Sequence, residues 1–191
     1  MGRELELKYR ADGETLAAIR EKFGEFMPIS METVYYDTPD GVLRARHWTL
    51  RRRMENGVAV CTLKTPLPDG SRGEWETECG DILAAVPKLC KLGAPEELKA
   101  LTAQGVRESC GAKFTRLAKL LDIGGCTVEI ALDKGVLLGG GKETPLCEVE
   151  VEYKDGDESA AHILAQMLAA EFHMHREPKS KVVRAMELVQ R

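Results

Sequence analysis

The sequence predicts an antiparallel, β-rich α+β fold of about eight strands with a few covering helices, as one domain over residues 1–191. Three observations predict it. Charged and apolar residues alternate with period two in one run after another. An Asn-Gly pair joins two such runs. Helical stripes occur only as short segments between or after them.

Residues 2–10 alternate strictly, with Glu4, Glu6, Lys8 and Arg10 on one phase and Leu5, Leu7 and Tyr9 on the other, which is a strand. Asp12 offers an N-cap to a helix with Leu16, Ile19 and Phe23 on one stripe, ending near Gly24. Residues 29–38 read as a second strand, closed by the turn signal Asp37-Thr38-Pro39-Asp40-Gly41. Strands at about 48–55 and 58–65 flank Asn56-Gly57, whose tolerance of positive φ makes a tight hairpin. Residues 72–79 form another strand. Over 81–104 the pattern is helical but broken: Pro87 denies Leu83 its backbone partner, and a second short helix restarts at Pro95. Strands resume at about 112–123, 126–133 and 146–153, separated by Gly124-Gly125 and a Gly139-Gly140-Gly141 loop. A helix at about 158–172 carries Ile163, Leu164, Met167, Leu168 and Phe172 on one stripe, and 180–190 reads as a last helix. There is no internal repeat or low-complexity linker.

A chain of 191 residues can bury a real core. A net charge of -4 and 5% aromatic residues argue against a nucleic-acid module built on a basic face. No apolar run approaches the ~20 residues of a membrane span, and no apolar signal segment opens the chain, so a soluble, cytoplasmic protein is expected. Six cysteines show no CxxC pair, and Cys61, Cys79 and Cys147 fall on apolar strand phases, which makes them small core hydrophobes rather than a disulfide framework.

The informative feature is where the charges sit. Polar strand phases carry Glu4-Glu6-Lys8, Arg51-Arg53, Thr62-Lys64, Arg72-Glu74-Glu76-Glu78, Arg116, Glu129-Asp133 and Glu148-Glu150-Glu152. A solvated strand face usually mixes in Thr, Ser and Gln, and three carboxylates in a row repel unless cations lie opposite. The opposite phases are apolar and can be covered by the helices. Two arrangements satisfy this pattern. One is a closed barrel with its charged face inward around water, ions and a charged ligand; the other is an open sheet with that face in solvent. An enclosed face of both signs suits a metal-chelated polyphosphate: carboxylates hold hard divalent cations, while Arg forks and Lys ammoniums hold phosphate oxygens.

These residues resemble the CYTH, or triphosphate tunnel metalloenzyme, superfamily. Glu4-x-Glu6-x-Lys8 resembles its ExExK signature. Tyr35-Tyr36-Asp37-Thr38, Leu43 and Leu50-Arg51-Arg52-Arg53 follow in order, then Thr62-Leu63-Lys64 and the Arg72, Glu74, Glu76 strand. Glu129 to Gly135, Cys147 to Glu152, and Ser180-Lys181-x-x-Arg184 complete the set. The resemblance covers essentially the whole chain and is nearest to the bacterial inorganic triphosphatases, as a CYTH domain without the helical CHAD domain that many of them carry. It implies a closed antiparallel tunnel and metal-dependent hydrolysis of the terminal phosphoanhydride of tripolyphosphate. The same scaffold carries two rival activities, class IV adenylate cyclase and thiamine triphosphatase.

Carried over, the resemblance makes Glu4 and Glu6 ligands of Mg²⁺ or Mn²⁺, joined by Asp133, by Glu148, Glu150 or both, and by Glu152 nearer its strand end. Lys8, Arg51, Arg53, Lys64, Arg72, Arg116 and Lys181 would grip the phosphates, with Lys8 and Lys64 also serving catalysis. Glu76 would orient a basic residue or a water. Arg184 is a further phosphate candidate whose alternative is a helix surface. A small-molecule triphosphate is the expected partner, with no nucleic acid or membrane, and a homodimer is a family expectation. Arg52 falls on the outer phase. His173-Met174-His175, and the stretch 171–177 as a whole, read as a helix end and loop rather than a site, and Trp75 reads as core packing.

Overall fold

The computed structural model describes residues 2–68 and 71–190, with side chains from Leu5 onward. The elements run β1 (Gly2–Glu4), β2 (Glu6–Arg10), α1 (Gly13–Phe23), β3 (Met27–Asp37), α2 (Val42–Ala45), β4 (Thr49–Glu55), β5 (Val58–Pro66), β6 (Arg72–Glu78), α3 (Ile82–Lys91), α4 (Glu97–Leu101), β7 (Arg107–Ile123), β8 (Cys126–Gly139), β9 (Lys142–Asp155), α5 (Glu158–Glu171), β10 (His175–Arg176) and α6 (Lys181–Val189). No described helix is long and apolar enough to cross a membrane.

One antiparallel sheet holds all ten described strands in the order β1-β6-β5-β4-β3-β7-β8-β9-β2-β10. The expected antiparallel sheet with covering helices is present, with ten described strands instead of about eight, and the two ends of its order are β1 and the β2–β10 pair. Two strands are extra. One comes from the first alternating run, in which β1 pairs with β6 while β2, beyond Leu5, pairs with β9; the other is β10, where His175 and Arg176, expected in a loop, pair with Arg10 and Tyr9 of β2. The third glycine-flanked hairpin is also longer than its charge pattern suggested, because β8 and β9 stay in register out to Gly139 and Lys142. Pro87 does not break its helix either. It lies inside α3, where the Leu83 turn it leaves short of a bond is solvent-exposed.

Register puts the charged phases on one face. Across the strands Glu6 lies opposite Glu152 and Lys8 opposite Glu150, while Arg116 lies opposite Asp133 and Asp133 opposite Glu148. Arg51 lies opposite Thr62, Thr62 opposite Glu76 and Lys64 opposite Glu74. Directly opposed residues of an antiparallel pair point the same way, so these groups share one surface.

The other face is apolar and is covered in two patches. Leu50, Cys61, Leu63 and Trp75 bury against Ile82, Val86 and Leu89 of α3 and Leu98 of α4. Leu7, Tyr9, Ile130, Leu132, Val149 and Val151 bury against Leu16 and Ile19 of α1 and Ala165 and Leu168 of α5. Both Trp75 and Cys61 thus lie in the core, and all six cysteines are free.

α6 behaves differently. Its Ala185 and Leu188 pack on Ala112, Phe114, Leu137 and Leu146, which share the phase of Arg116, Asp133 and Glu148. The last helix therefore sits on the charged face and delivers its first residue, Lys181, into it. Gly135 makes this possible, since a Cβ there would fall 2.6 Å from Cβ of Phe114, the ring over which Lys181 Nζ lies at 5.2 Å.

Candidate active site

The charged face lines a cavity of about 610 Å³, with walls drawn from β2 through β9 and from the segment leading into α6. Of the residues the sequence singled out, Glu6, Lys8, Arg51, Arg53, Lys64, Arg72, Glu76, Arg116, Glu150, Glu152 and Lys181 all line it. Glu4 belongs to β1, but its side chain lies outside the described ones. Asp133 and Glu148 sit deeper, beneath the cavity floor, fully buried. Arg184 reaches Glu148 from the other side, where it lines a second cavity with Arg10, Glu177 and Lys179.

The basic wall is built by alternation in β4 and β5. Arg51 and Arg53 are both buried, while Arg52 points away and donates to the Gly80 carbonyl at 3.1 Å. Arg53 donates from Nε to Thr33 Oγ1 at 3.2 Å and lies 3.3 Å from Glu55. Burial, together with the nearby Arg51 and Arg116 charges, holds its pKa below the usual arginine value. Arg51 Nη2 lies 3.6 Å from Glu74 and 3.5 Å from Glu76, and Lys64 lies 3.1 Å from Glu74. Thr62 Oγ1 donates to Glu76 at 2.9 Å, so Glu76 is fixed beside Arg51.

The acidic floor is a trio. One carboxylate oxygen from each of Asp133, Glu148 and Glu150 lies within 4.8 Å of the others. Lys181 Nζ stands among them, 2.8 Å from Asp133 and 2.6 Å from Glu150, and pairs with Glu148. Arg116 grips Asp133 with both Nε and Nη2 at 2.8 Å and also pairs with Glu150; Arg184 pairs with Glu148. Three carboxylates thus face three cations, which is how so many charges can be buried together.

Burial opposes ionisation throughout this cluster, and the neighbours decide the outcome. Burial would push Glu150 up, but Lys181, Arg116 and Lys8 hold it well below the usual carboxylate range. For Glu148 burial wins: even with Lys181 and Arg184 alongside, its pKa is raised. Burial would lower Lys181 and Arg116, but the carboxylates around each raise both. An all-carboxylate oxygen set of this spacing has the hard-donor chemistry that Mg²⁺ and Mn²⁺ take. Lys181 holds the same oxygens, so a divalent cation bound there would compete with this ammonium.

A second acidic row lies at the cavity wall. Glu129 of β8, Glu152 of β9 and Glu6 of β2 are directly opposed in sequence across three strands. Lys154 lies 2.8 Å from Glu152, and Lys8 lies 3.2 Å from Glu6. Sequence reading placed Glu129 on the right phase without assigning it a role; its spacing of four from Asp133 on one strand was the available signal.

Glu177 was missed altogether, because the stretch 171–177 read as a loop. It is 2% exposed; its backbone N–H donates to the Lys8 carbonyl at 2.9 Å, and its side chain accepts from Arg10 Nε at 2.6 Å and from the Lys179 N–H at 3.0 Å. It therefore ties the lead-in to α6, and with it Lys181, onto β2. Burial acts to raise its pKa, yet the Arg10 hydrogen bond and the Lys179 N–H lower it below the usual 4.5. A lowered carboxyl adds stability above its unfolded pKa and loses it as pH falls through the folded value. Glu177→Ala is expected to lower stability by about 1–3 kcal/mol at pH 7 in urea denaturation. The gap from wild type should close as pH drops below about 4.5; a gap constant down to pH 3 would exclude the ionic tie.

Comparison with known proteins places this geometry. The CYTH domain model matches residues 2–186. An inorganic triphosphatase of Haemophilus influenzae is 27% identical over 135 residues, which are 70% of this chain and 38% of that protein. The chain thus spans well under half the length of this curated relative. The solved structure of the PH1819 protein of Pyrococcus horikoshii, 26% identical, superposes with a TM-score of 0.65 over 97% of this chain and 99% of that one. HpAC1 of Hippeastrum, described as an adenylyl cyclase candidate with a dominant triphosphatase activity, shares the fold at 15% identity, with a TM-score of 0.63 over 97% and 96% of the two chains. With the family model spanning every described strand of the sheet and the first two-thirds of α6, the chain belongs to the CYTH domain family.

Proposed function

We propose that this protein hydrolyses the terminal phosphoanhydride of a triphosphate, with inorganic tripolyphosphate as its first substrate and Mg²⁺ or Mn²⁺ as its metal. One observation carries this reading: a single cavity gathers Lys8, Arg51, Arg53, Lys64, Arg72, Arg116 and Lys181 on the same walls as Glu6, Glu150 and Glu152. The inorganic triphosphatase relative supports the choice of substrate. The sheet would close into a tunnel through its N-terminal run, since β1 lies on β6 and β2 on β9 with only Leu5 between them. Six free thiols suit a cytoplasmic, reducing setting.

Phosphoryl transfer needs mainly positioning and neutralisation of developing charge. In this reading Arg51, Arg53 and Arg72 hold the phosphate chain, Arg116 adds its charge while its Nε and Nη2 stay on Asp133, and Glu76 keeps Arg51 aimed. Lys8 and Lys64 stabilise charge on the leaving diphosphate. Glu6, Glu150 and Glu152, with Asp133 and Glu148 beneath, would hold the divalent ion, which when bound supplies Lewis-acid neutralisation of phosphate oxygens. Lys181 would then turn from the carboxylates to the substrate.

The test is phosphate release from tripolyphosphate, ATP and thiamine triphosphate with each metal, reading cyclic AMP alongside. EDTA should abolish turnover. Glu6→Gln should lower kcat, whereas Arg51→Ala should mainly raise KM, by about 10–100-fold. Full activity without metal, or cyclic AMP as the main product, would overturn the proposal.

A further inference from the structure

The acidic row of Glu6, Glu129 and Glu152 along the cavity wall is met by a cation that the triphosphatase reading leaves without a role. Lys154 lines the same cavity, and its Nζ lies 2.8 Å from Glu152 and 4.0 Å from Glu129. The neighbouring cations have other carboxylates to serve. Arg116 stands 4.0 Å from Glu129 while its Nε and Nη2 hold Asp133, and Lys8 lies on Glu6.

The backbone aims Lys154 at this row. Val128 lies opposite Tyr153 and Thr127 opposite Asp155, so Lys154 is an extra residue in β9, a β-bulge. A bulge re-aims the side chain it carries, and this one is held on both sides. The Tyr153 N–H donates to the Leu5 carbonyl at 3.0 Å, and the Tyr153 hydroxyl donates to the Gly156 carbonyl at 2.9 Å. Gly156 has φ 96°, and a Cβ there would stand 2.1 Å from the Gly125 carbonyl oxygen, so the turn after the bulge admits no side chain.

We propose that Lys154 is a phosphate-binding residue of the site, one that holds Glu152 in the metal-free protein and swings to the phosphate chain once a divalent cation takes the carboxylates. The inference rests on the triphosphatase reading and deepens it by naming a further residue of the same cavity. A dication on Glu152 replaces the charge that the ammonium supplies and repels it at short range. Lysine carries a compact charge on a flexible four-carbon stem, so it can leave one anion for another without moving the backbone. The phosphate chain along the same wall is the anion left to receive it. Metal would thus bind against Lys154, and substrate would bind with it.

Two measurements test this: Mn²⁺ binding without substrate by titration calorimetry, and phosphate release from tripolyphosphate. Lys154→Met is expected to bind Mn²⁺ about 10-fold more tightly than wild type, because the ammonium no longer competes, and to raise KM for tripolyphosphate about 10-fold. Lys154→Gln removes the charge and keeps an N–H donor for Glu152; it should shift both values in the same directions and serves if the Met variant does not fold. Lys154→Arg keeps the charge and should recover most of both shifts. Tighter metal binding with weaker substrate binding sets this role apart from a structural ion pair, whose loss would lower stability and leave Mn²⁺ affinity where it was. Unchanged Mn²⁺ affinity, an unchanged KM, or Lys154→Arg behaving like Lys154→Met would each overturn the proposal and leave the triphosphatase reading intact. No phosphate release by the wild type would overturn that reading, and calorimetric affinities of the variants for Mn²⁺ and tripolyphosphate would then decide the role of Lys154.

Discussion

Lys181→Met is expected to destabilise the metal-free protein by about 3–5 kcal/mol, the largest loss from any single change at the site. The substitution keeps most of the side-chain volume and removes only the charge that Asp133, Glu148 and Glu150 share. Arg116 and Arg184 then face three buried carboxylates alone. Breaking a buried ion cluster from one side leaves charge uncompensated in a low-dielectric interior, which is far worse than never having built the cluster. A divalent cation should fill the same role. Mg²⁺ at about 100 times its dissociation constant adds about 2.7 kcal/mol of stability to a state that binds it, so it should rescue the variant more than wild type, where the ammonium competes. Urea denaturation of both proteins, in EDTA and in Mg²⁺, reads this directly. An equal response of variant and wild type to Mg²⁺ would show that Lys181 and the metal do not share oxygens.

Arg53→Met is expected to give the opposite pattern, with stability nearly unchanged and substrate affinity lost. In the free protein the Arg53 guanidinium is buried, and the like charges of Arg51 and Arg116 press on it. Its compensation is modest, a neutral hydroxyl on Thr33 and one carboxylate on Glu55 at 3.3 Å. Exchanging such a group for an apolar one of similar volume is often neutral or stabilising. A bound triphosphate would reverse the balance by placing anionic oxygens among these cations. A lost charge-assisted contact is worth about 1.5–3 kcal/mol, so KM for tripolyphosphate should rise about 10–100-fold. Thermal unfolding of the free protein checks the first half and steady-state kinetics the second. A variant that is both much less stable and normal in KM would show Arg53 to be a structural residue.

How much of this was legible beforehand depended on whether local pattern or distant pairing decided it. Alternation of period two placed Arg51 and Arg53 inward and Arg52 outward, and the structure keeps that split. The same rule separated Leu7 and Tyr9 from Glu6 and Lys8, and put Trp75 in the core. Positive-φ pairs such as Asn56-Gly57 marked the hairpin turn, because few residue types adopt that backbone. Glu177 and the partners of α6 were not legible. The stretch 171–177 has no periodicity, and nothing local shows that its last residue is buried against β2. α6 has an ordinary amphipathic pattern, which states that it covers something without stating which face of the sheet it covers.

The sequence by itself determined the strands, their two chemical faces and the set of charges available to a metal and a phosphate chain, because side-chain direction in a strand follows from position alone. Only the tertiary structure decided which charges meet. It sank Asp133 and Glu148 below the floor, brought Lys181 between them from the far end of the chain and set Arg184 against Glu148 from a second cavity. It also split the first run at Leu5 and bulged β9 at Lys154. Those outcomes depend on strand register and on where α6 docks, and both are set by contacts between residues far apart in sequence, which no local pattern encodes.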